Sequence, residues 1–187
     1  EHKKIIIRMM SDLFPVHAVR HPRQECDDVI ASLAKKHHDA GDSCTIVSTD
    51  TDFIQLYNTC PGVKIYNPIK KKFVEPPVFD YVTWKSLRGD PSDNIPGIRG
   101  IGDKRATSLV SDPSKLEELL VRDNNREIFE KNMSLIRFSD IDENDLEYSG
   151  ATCNWGKVKD NFDNMKFTSI TNSKSWIKFM DTFNNLG

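Results

Sequence analysis

Three groups of carboxylates draw attention by type and spacing: Glu25, Asp27 and Asp28; then Asp50 and Asp52; then Asp90 and Asp93. Carboxylates gathered at one place repel each other unless cations lie among them. An all-oxygen ligand set suits hard divalent ions, Mg²⁺ or Mn²⁺. Two such ions about 3.5–4 Å apart activate water and stabilise the leaving oxygen of a phosphodiester. Each group alone also has an ordinary explanation. Acid in the first turn of a helix meets the positive dipole end, which accounts for Glu25, Asp27 and Asp28. Asp50 and Asp52 suit a helix cap, and Asp90 and Asp93 are common turn residues. The joint occurrence is what points to metal-assisted hydrolysis.

Directly after the third group runs Ile98-Arg99-Gly100-Ile101-Gly102-Asp103-Lys104-Arg105-Ala106. Gly100 and Gly102 let the backbone turn tightly and come close to another surface. The helix that follows points free N–H groups outward, a setting for phosphate, and Lys104 and Arg105 stand in its first turn as phosphate contacts. Acid that holds metal therefore adjoins backbone that holds a phosphodiester.

The surrounding pattern supplies the elements that must position these groups. Residues 3–14 carry Ile5, Ile6, Met9, Met10 and Leu13 at helical spacing and stop at Pro15. Val16 to Val19 reads as a strand, and residues 25–40 as a helix with Val29, Ile30, Leu33 and Ala34 on one face, ended by Gly41. Cys44 to Ser48 is a short β-branched run of the kind found in buried parallel strands, followed by a short helix over 51–57. Strands over 63–67 and 72–74 flank a turn at Asn67-Pro68, and a helix over 78–87 leads to Asp90. This alternation predicts an α/β fold with a parallel sheet, whose ligands gather off the carboxyl ends of strands. Residues 106–138 read as helices, 139–154 as an acidic loop, and Asn172 as the cap of a last helix bearing Trp176, Ile177, Met180 and Phe183.

The 187 residues suffice for one domain with a core, or somewhat more, and 37% hydrophobic with 29% charged residues is ordinary for a globular chain. A net charge of −2 gives no global attraction to a polyanion, so nucleic-acid contact must come from local patches. Cys26, Cys44, Cys60 and Cys153 are scattered, without the pairing of a zinc site or disulfide framework, which fits reduced thiols in a cytoplasm. No apolar run reaches membrane-spanning length.

Three segments together resemble successive motifs of the 5′ nuclease family, which includes flap endonucleases and the 5′–3′ exonuclease domain of bacterial DNA polymerase I. They are Glu25-Cys26-Asp27-Asp28-Val29-Ile30-Ala31, Ser48-Thr49-Asp50-Thr51-Asp52-Phe53-Ile54-Gln55-Leu56 and Gly89-Asp90-Pro91-Ser92-Asp93-Asn94-Ile95-Pro96-Gly97. Residues 97–106 resemble that family's helix–hairpin–helix, and the likeness is greatest to its T-even-like phage ribonuclease H branch. The resemblance implies a parallel-sheet, PIN-like catalytic core over 1–89 followed by a helix–hairpin–helix and helical region over 90–187. It implies Glu25, Asp27 and Asp28 as ligands of a first Mg²⁺ or Mn²⁺. It assigns Asp50, Asp52, Asp90 and Asp93 to holding or orienting a second, with Asp27, Asp28, Asp50 and Asp52 at the catalytic centre. Gly100, Gly102, Lys104 and Arg105 correspond to the clamp on duplex DNA, where hairpin carbonyls often bind K⁺. The implied substrates are flap or duplex DNA and RNA–DNA hybrids in replication, in the cytoplasm, of the host if the chain is phage-encoded. Cys26 replaces a small alanine, expected in a buried slot. The family also carries an earlier strand, two further aspartates and a basic arch. The chain starts about where that segment ends, so an amino-terminal polypeptide is an expected partner.

A rival reading is a non-catalytic, structure-specific duplex-binding module that uses the hairpin alone. Lys70-Lys71-Lys72 reads as a solvated tip rather than a DNA contact, and His37-His38 as a helix end rather than a metal ligand. Trp84, Trp155 and Trp176 read as core aromatics. The terminal stripe reads as a packed helix or as a docking helix for a replication protein.

Overall fold

The computed structural model describes residues 2–150 and 152–185. Its first half runs α1 (His2–Leu13), β1 (His17–Arg20), α2 (Cys26–Asp39), β2 (Thr45–Val47), α3 (Leu56–Thr59), β3 (Lys64–Asn67) and β4 (Lys72–Phe73). Then come α4 (Tyr81–Arg88), β5 (Gly89–Asp90), β6 (Ile95–Pro96), α5 (Asp103–Val110), α6 (Pro113–Leu120) and α7 (Asn125–Ile136). The chain finishes with β7 (Glu147–Gly150), α8 (Trp155–Asn164), α9 (Thr168–Thr171) and α10 (Ser173–Asn184). These elements form two compact units, one of residues 25–141 and one of residues 1–24 with 142–187.

The unit of residues 25–141 begins as α/β. Strand β2 pairs in parallel with β3, Ile46 opposite Ile65, and β4 adds antiparallel to β3. Alternation decides the burial: Ile46 faces the core while Thr45 and Val47 are exposed. Ile46 and Ile65 pack with Ala31 and Ala34 of α2 and with Phe53, Leu56, Cys60 and Val63. The β3–β4 turn is set by Asn67, whose Oδ1 accepts the N–H of Ile69 at 3.1 Å and of Lys70 at 2.9 Å. Helix α4 starts at an Asp80 cap accepting the Thr83 N–H at 2.7 Å.

A second core follows in the same unit, from Leu87, Ile98, Ile101, Ala106, Leu109, Leu119 and Leu120. Two buried amides tie α7 to the elements before it. Asn132 Nδ2 donates to the carbonyls of Ser86 (2.9 Å) and Pro96 (2.8 Å). Gln55 donates to the Ile136 carbonyl at 3.1 Å and accepts the Phe138 N–H at 3.2 Å. The division expected at 89/90 falls inside this unit, because Leu87 and Ile98 belong to one core.

The other unit pairs β1 antiparallel with β7, from His17 opposite Gly150 to Arg20 opposite Glu147. Its core surrounds Phe14, whose ring meets Trp155 at 5.6 Å and Phe183 at 5.0 Å edge-on. Asn172 caps α10 by accepting the Ser175 N–H at 3.1 Å. Trp176, Phe179, Met180 and Phe183 all enter this core, so the terminal stripe packs internally, and Ile177 alone of the four stripe residues expected from sequence is exposed.

Three expectations change. The first strand is not part of the parallel sheet, because its partner is β7. The acidic stretch 139–154 is not all loop, since it contains β7. The short helix at 51–57 is a 3₁₀ turn, Asp52–Gln55, continued by α3.

Candidate functional site

The segment after β2 is shaped by its own polar side chains. Ser48 Oγ accepts the Asp50 N–H at 3.0 Å, and Asp50 Oδ1 accepts the Asp52 N–H at 2.9 Å. Asp50 is thus exposed and turned onto the backbone, while Asp52 is partly buried.

The second carboxylate segment is a β-hairpin, with Gly89 opposite Pro96 and Asp90 opposite Ile95. Pro91 starts a 3₁₀ turn, Pro91–Asp93, and Asn94 closes it in the left-handed region at φ +58°. Two glycines allow the strands to meet. A Cβ on Gly89 would lie 2.3 Å from the Gly97 nitrogen, and one on Gly97 would lie 1.9 Å from the Arg88 oxygen. No other residue fits such an approach. Asp90 is held at this crossing: its Oδ1 accepts the Ser92 N–H at 2.9 Å and also the Ser92 hydroxyl.

Asp52, Asp90 and Asp93 come together, each offering an oxygen within 4.8 Å of the others. Oxygen donors alone, with Asp90 buried, Asp52 partly buried and Asp93 exposed, fit a hard divalent ion. Glu25, Asp27 and Asp28 are not in that cluster. Glu25 is the exposed cap residue of α2, Asp27 accepts the Cys26 thiol at 3.3 Å, and Asp28 Oδ1 accepts the Ser139 N–H at 2.8 Å. Cys26 is exposed rather than in a buried slot.

Sequence reasoning missed Lys85. It stands on α4 one turn ahead of Gly89, only 4% exposed, and its ammonium contacts both Asp52 Oδ1 and Asp90 Oδ2. Burial pulls the Lys85 ammonium toward deprotonation, but its hydrogen bonds to Asp52 and Asp90 prevail and its pKa rises. Burial pushes Asp90 up, yet Lys85 and Ser92 together bring it down to about 2. Asp52 moves up, because burial there outweighs the Lys85 contact and Asp50 and Asp90 repel its charge. The geometry, two carboxylate oxygens on one ammonium, supports a charged Lys85 between charged partners. A signal existed in the sequence: Lys85 follows Tyr81 and Val82 at helical spacing, on the face that proves buried.

The hairpin beyond has the opposite character. Ile98 and Ile101 are buried anchors, while Gly100, Gly102, Lys104 and Arg105 are exposed. Gly100 sits at φ +78°. Gly102 is the cap residue of α5 in extended conformation with no side-chain cap, and a Cβ there would meet nothing within 4 Å. The base is fastened by Arg88, which pairs with Asp103 and lies 5.2 Å over the Trp84 ring. Trp84 Nε1 donates to Thr107 Oγ1 at 3.1 Å. Lys70, Lys71 and Lys72 are exposed around the β3–β4 turn, and His37 pairs with Asp42 at 2.9 Å.

With this geometry in place, comparison with known proteins is informative. A family model described as the 5′-3′ exonuclease N-terminal resolvase-like domain matches residues 2–82, and one described as the 5′-3′ exonuclease C-terminal SAM fold matches residues 77–140. A thermostable DNA polymerase I of Thermus filiformis is 34% identical over 122 residues, 62% of this chain and 14% of that protein. DNA polymerase I of Rhizobium leguminosarum is 33% identical over 126 residues, 63% of this chain and 12% of that one. The chain thus spans a small fraction of the relatives it matches. Two solved structures share the fold at TM-score 0.50 and 21% identity, over 60% of this chain and 49% of theirs: T5 D15 protein co-crystallised with metal ions, and T5 5′-exonuclease with divalent zinc bound.

Proposed function

We propose that this chain, which belongs to the 5′–3′ exonuclease family, is a divalent-metal-dependent 5′ nuclease that hydrolyses phosphodiesters near 5′ ends of flap, nicked duplex or RNA–DNA primer substrates. The observation that carries this reading is the meeting of Asp52, Asp90 and Asp93 in the same compact unit as the exposed hairpin of Gly100, Gly102, Lys104 and Arg105. Mg²⁺ or Mn²⁺ is the proposed ion, two per complete site, with Glu25, Asp27 and Asp28 completing the ligands and K⁺ at the hairpin.

Asp52, Asp90 and Asp93 hold the ion, and Asp50 keeps Asp52 in place through the Asp52 N–H. A bound divalent ion supplies charge stabilisation for the departing oxygen and activation of water. The hairpin N–H groups, Lys104 and Arg105 grip backbone phosphates of duplex without reading bases. Gly102 supports this role: its lack of neighbours leaves no packing reason within the described residues for a missing side chain. We keep 1–89 and 90–187 as the proposed catalytic and duplex-gripping parts, and the two family models overlap close by, at 77–82. Further proposals are the phage ribonuclease H branch, a cytoplasmic setting, and two partners: an amino-terminal polypeptide with two aspartates and a basic arch, and a replication protein at α10. Among the described residues no helix is long and apolar enough to cross a membrane.

The test is cleavage of a 5′-flap duplex in Mg²⁺, by the 187-residue chain alone and with that amino-terminal polypeptide added. Metal-dependent cleavage that rises on addition is expected. Duplex binding with no cleavage in either case would favour the rival, a non-catalytic duplex-binding module.

A further inference from the structure

The proposed metal site already contains a cation belonging to the chain. Lys85 is 4% exposed, and its ammonium lies against Asp52 Oδ1 and Asp90 Oδ2 at once. The other oxygen of Asp90 is occupied too, by the N–H and hydroxyl of Ser92. Of the three carboxylates that meet, Asp93 is the exposed one, and Lys85 contacts the other two. Two carboxylates this close and this sheltered require a positive charge between them, and the fold provides it from α4.

We propose that Lys85 is a resident counter-ion that competes with a divalent ion for Asp52 and Asp90. The inference rests on the metal-site reading above and concerns the regulation of that site. An ion seated between these two carboxylates must displace the ammonium from the same oxygens. The displaced ammonium leaves a buried position where both its partners are lost, which opposes metal entry. Lys85 therefore keeps the carboxylates assembled in the absence of metal and weakens the affinity for the ion that replaces it. Replacing Lys85 by an uncharged chain of similar length removes the competitor and changes the cluster from two net negative charges to three.

The experiment is calorimetric titration of MnCl₂ into the whole chain as wild type, Lys85→Met and Lys85→Arg, with circular dichroism on the same samples. Lys85→Met is expected to bind Mn²⁺ at least tenfold more tightly than wild type, and Lys85→Arg to stay within a few-fold of it. If Lys85→Met is unfolded without metal, Mn²⁺ is expected to fold it, since the ion then stands in for the ammonium. Equal or weaker Mn²⁺ binding by a folded Lys85→Met, or failure of Mn²⁺ to fold an unfolded one, overturns the proposal while wild-type binding keeps the metal site. Absence of Mn²⁺ binding in wild type and both variants overturns the metal-site reading itself, and this proposal with it.

Discussion

The acidic corner and the hairpin lie in one compact unit only a few residues apart in sequence, yet they are built on opposite terms. In the corner the buried features have partners inside the chain. Asp90 is bound by Ser92 and Lys85, and Gly89 and Gly97 are glycines because each backbone touches the other. At the hairpin tip the features are turned to solvent: Gly102 has open space around it, Lys104 is exposed, and Arg105, also exposed, makes a long 3.5 Å contact back to the Gly100 carbonyl. Residues explained from within the chain preserve a shape. Residues with no internal explanation point outward, to a surface that arrives from elsewhere.

The sharpest way to break this contrast is to add one methyl group at each glycine. Gly97→Ala and Gly89→Ala force a Cβ into backbone at 1.9 and 2.3 Å, and loss of roughly 3 kcal/mol or more of unfolding free energy is expected. Gly102→Ala should stay within about 0.5 kcal/mol of wild type. Urea unfolding of the three variants checks this, and a similar loss at all three positions would erase the distinction.

Next in size is the removal of the buried ammonium. Lys85→Met in metal-free buffer should lose roughly 3 kcal/mol, since it strands two sheltered carboxylates. The pH dependence has a defined sign. Asp90 has a folded pKa of about 2 against an ordinary 3.8, so its stabilisation is fully present above pH 4 and disappears as pH falls through 2. The group is nearly buried, and its contribution is about 2 kcal/mol. Acid titration of stability should show this loss in wild type, and a smaller loss in Asp90→Asn.

Smaller effects are expected at the hairpin, and on binding rather than folding. Lys104→Ala should weaken duplex binding evenly across sequences and lower the salt slope by about one. A marked sequence preference would contradict phosphate-only contact. Gly102→Ser should gain a few tenths of a kcal/mol of stability from the cap it introduces on α5, yet bind duplex less well. A variant both more stable and tighter-binding would mean that Gly102 serves no close approach.

How far the sequence revealed this arrangement varies with the physics of each part. Asp52, Asp90 and Asp93 were legible because local chemistry sets them: a short β-branched strand before one, a Gly/Pro-framed turn around the others. The capped helices were legible for the same reason, as Asp80 and Asn172 show. Lys85 was not, since a lysine on a helix ordinarily reads as solvated, and only its helical spacing from Tyr81 and Val82 hinted at a buried face. Strand β7 was hidden because Glu147 to Gly150 are all exposed and show no alternation to read. The pairing of β1 with β7 joins residues 130 or so positions apart, which no local pattern encodes. Glu25, Asp27 and Asp28, which the resemblance assigns to a first ion, lie outside the cluster of Asp52, Asp90 and Asp93, and Asp28 accepts the Ser139 N–H.

The central claim is that the corner cuts and the hairpin holds. Single-turnover cleavage of a 5′-flap duplex in Mg²⁺ tests it most directly, measured over a range of protein concentrations. Gly102→Val should need more protein but reach the wild-type rate at saturation, whereas Asp93→Asn should saturate at the wild-type concentration with a rate at least a hundredfold lower, on the order expected for loss of electrostatic stabilisation. A wild-type rate from Asp93→Asn, or a rate for Gly102→Val that stays low at saturation, would contradict the account.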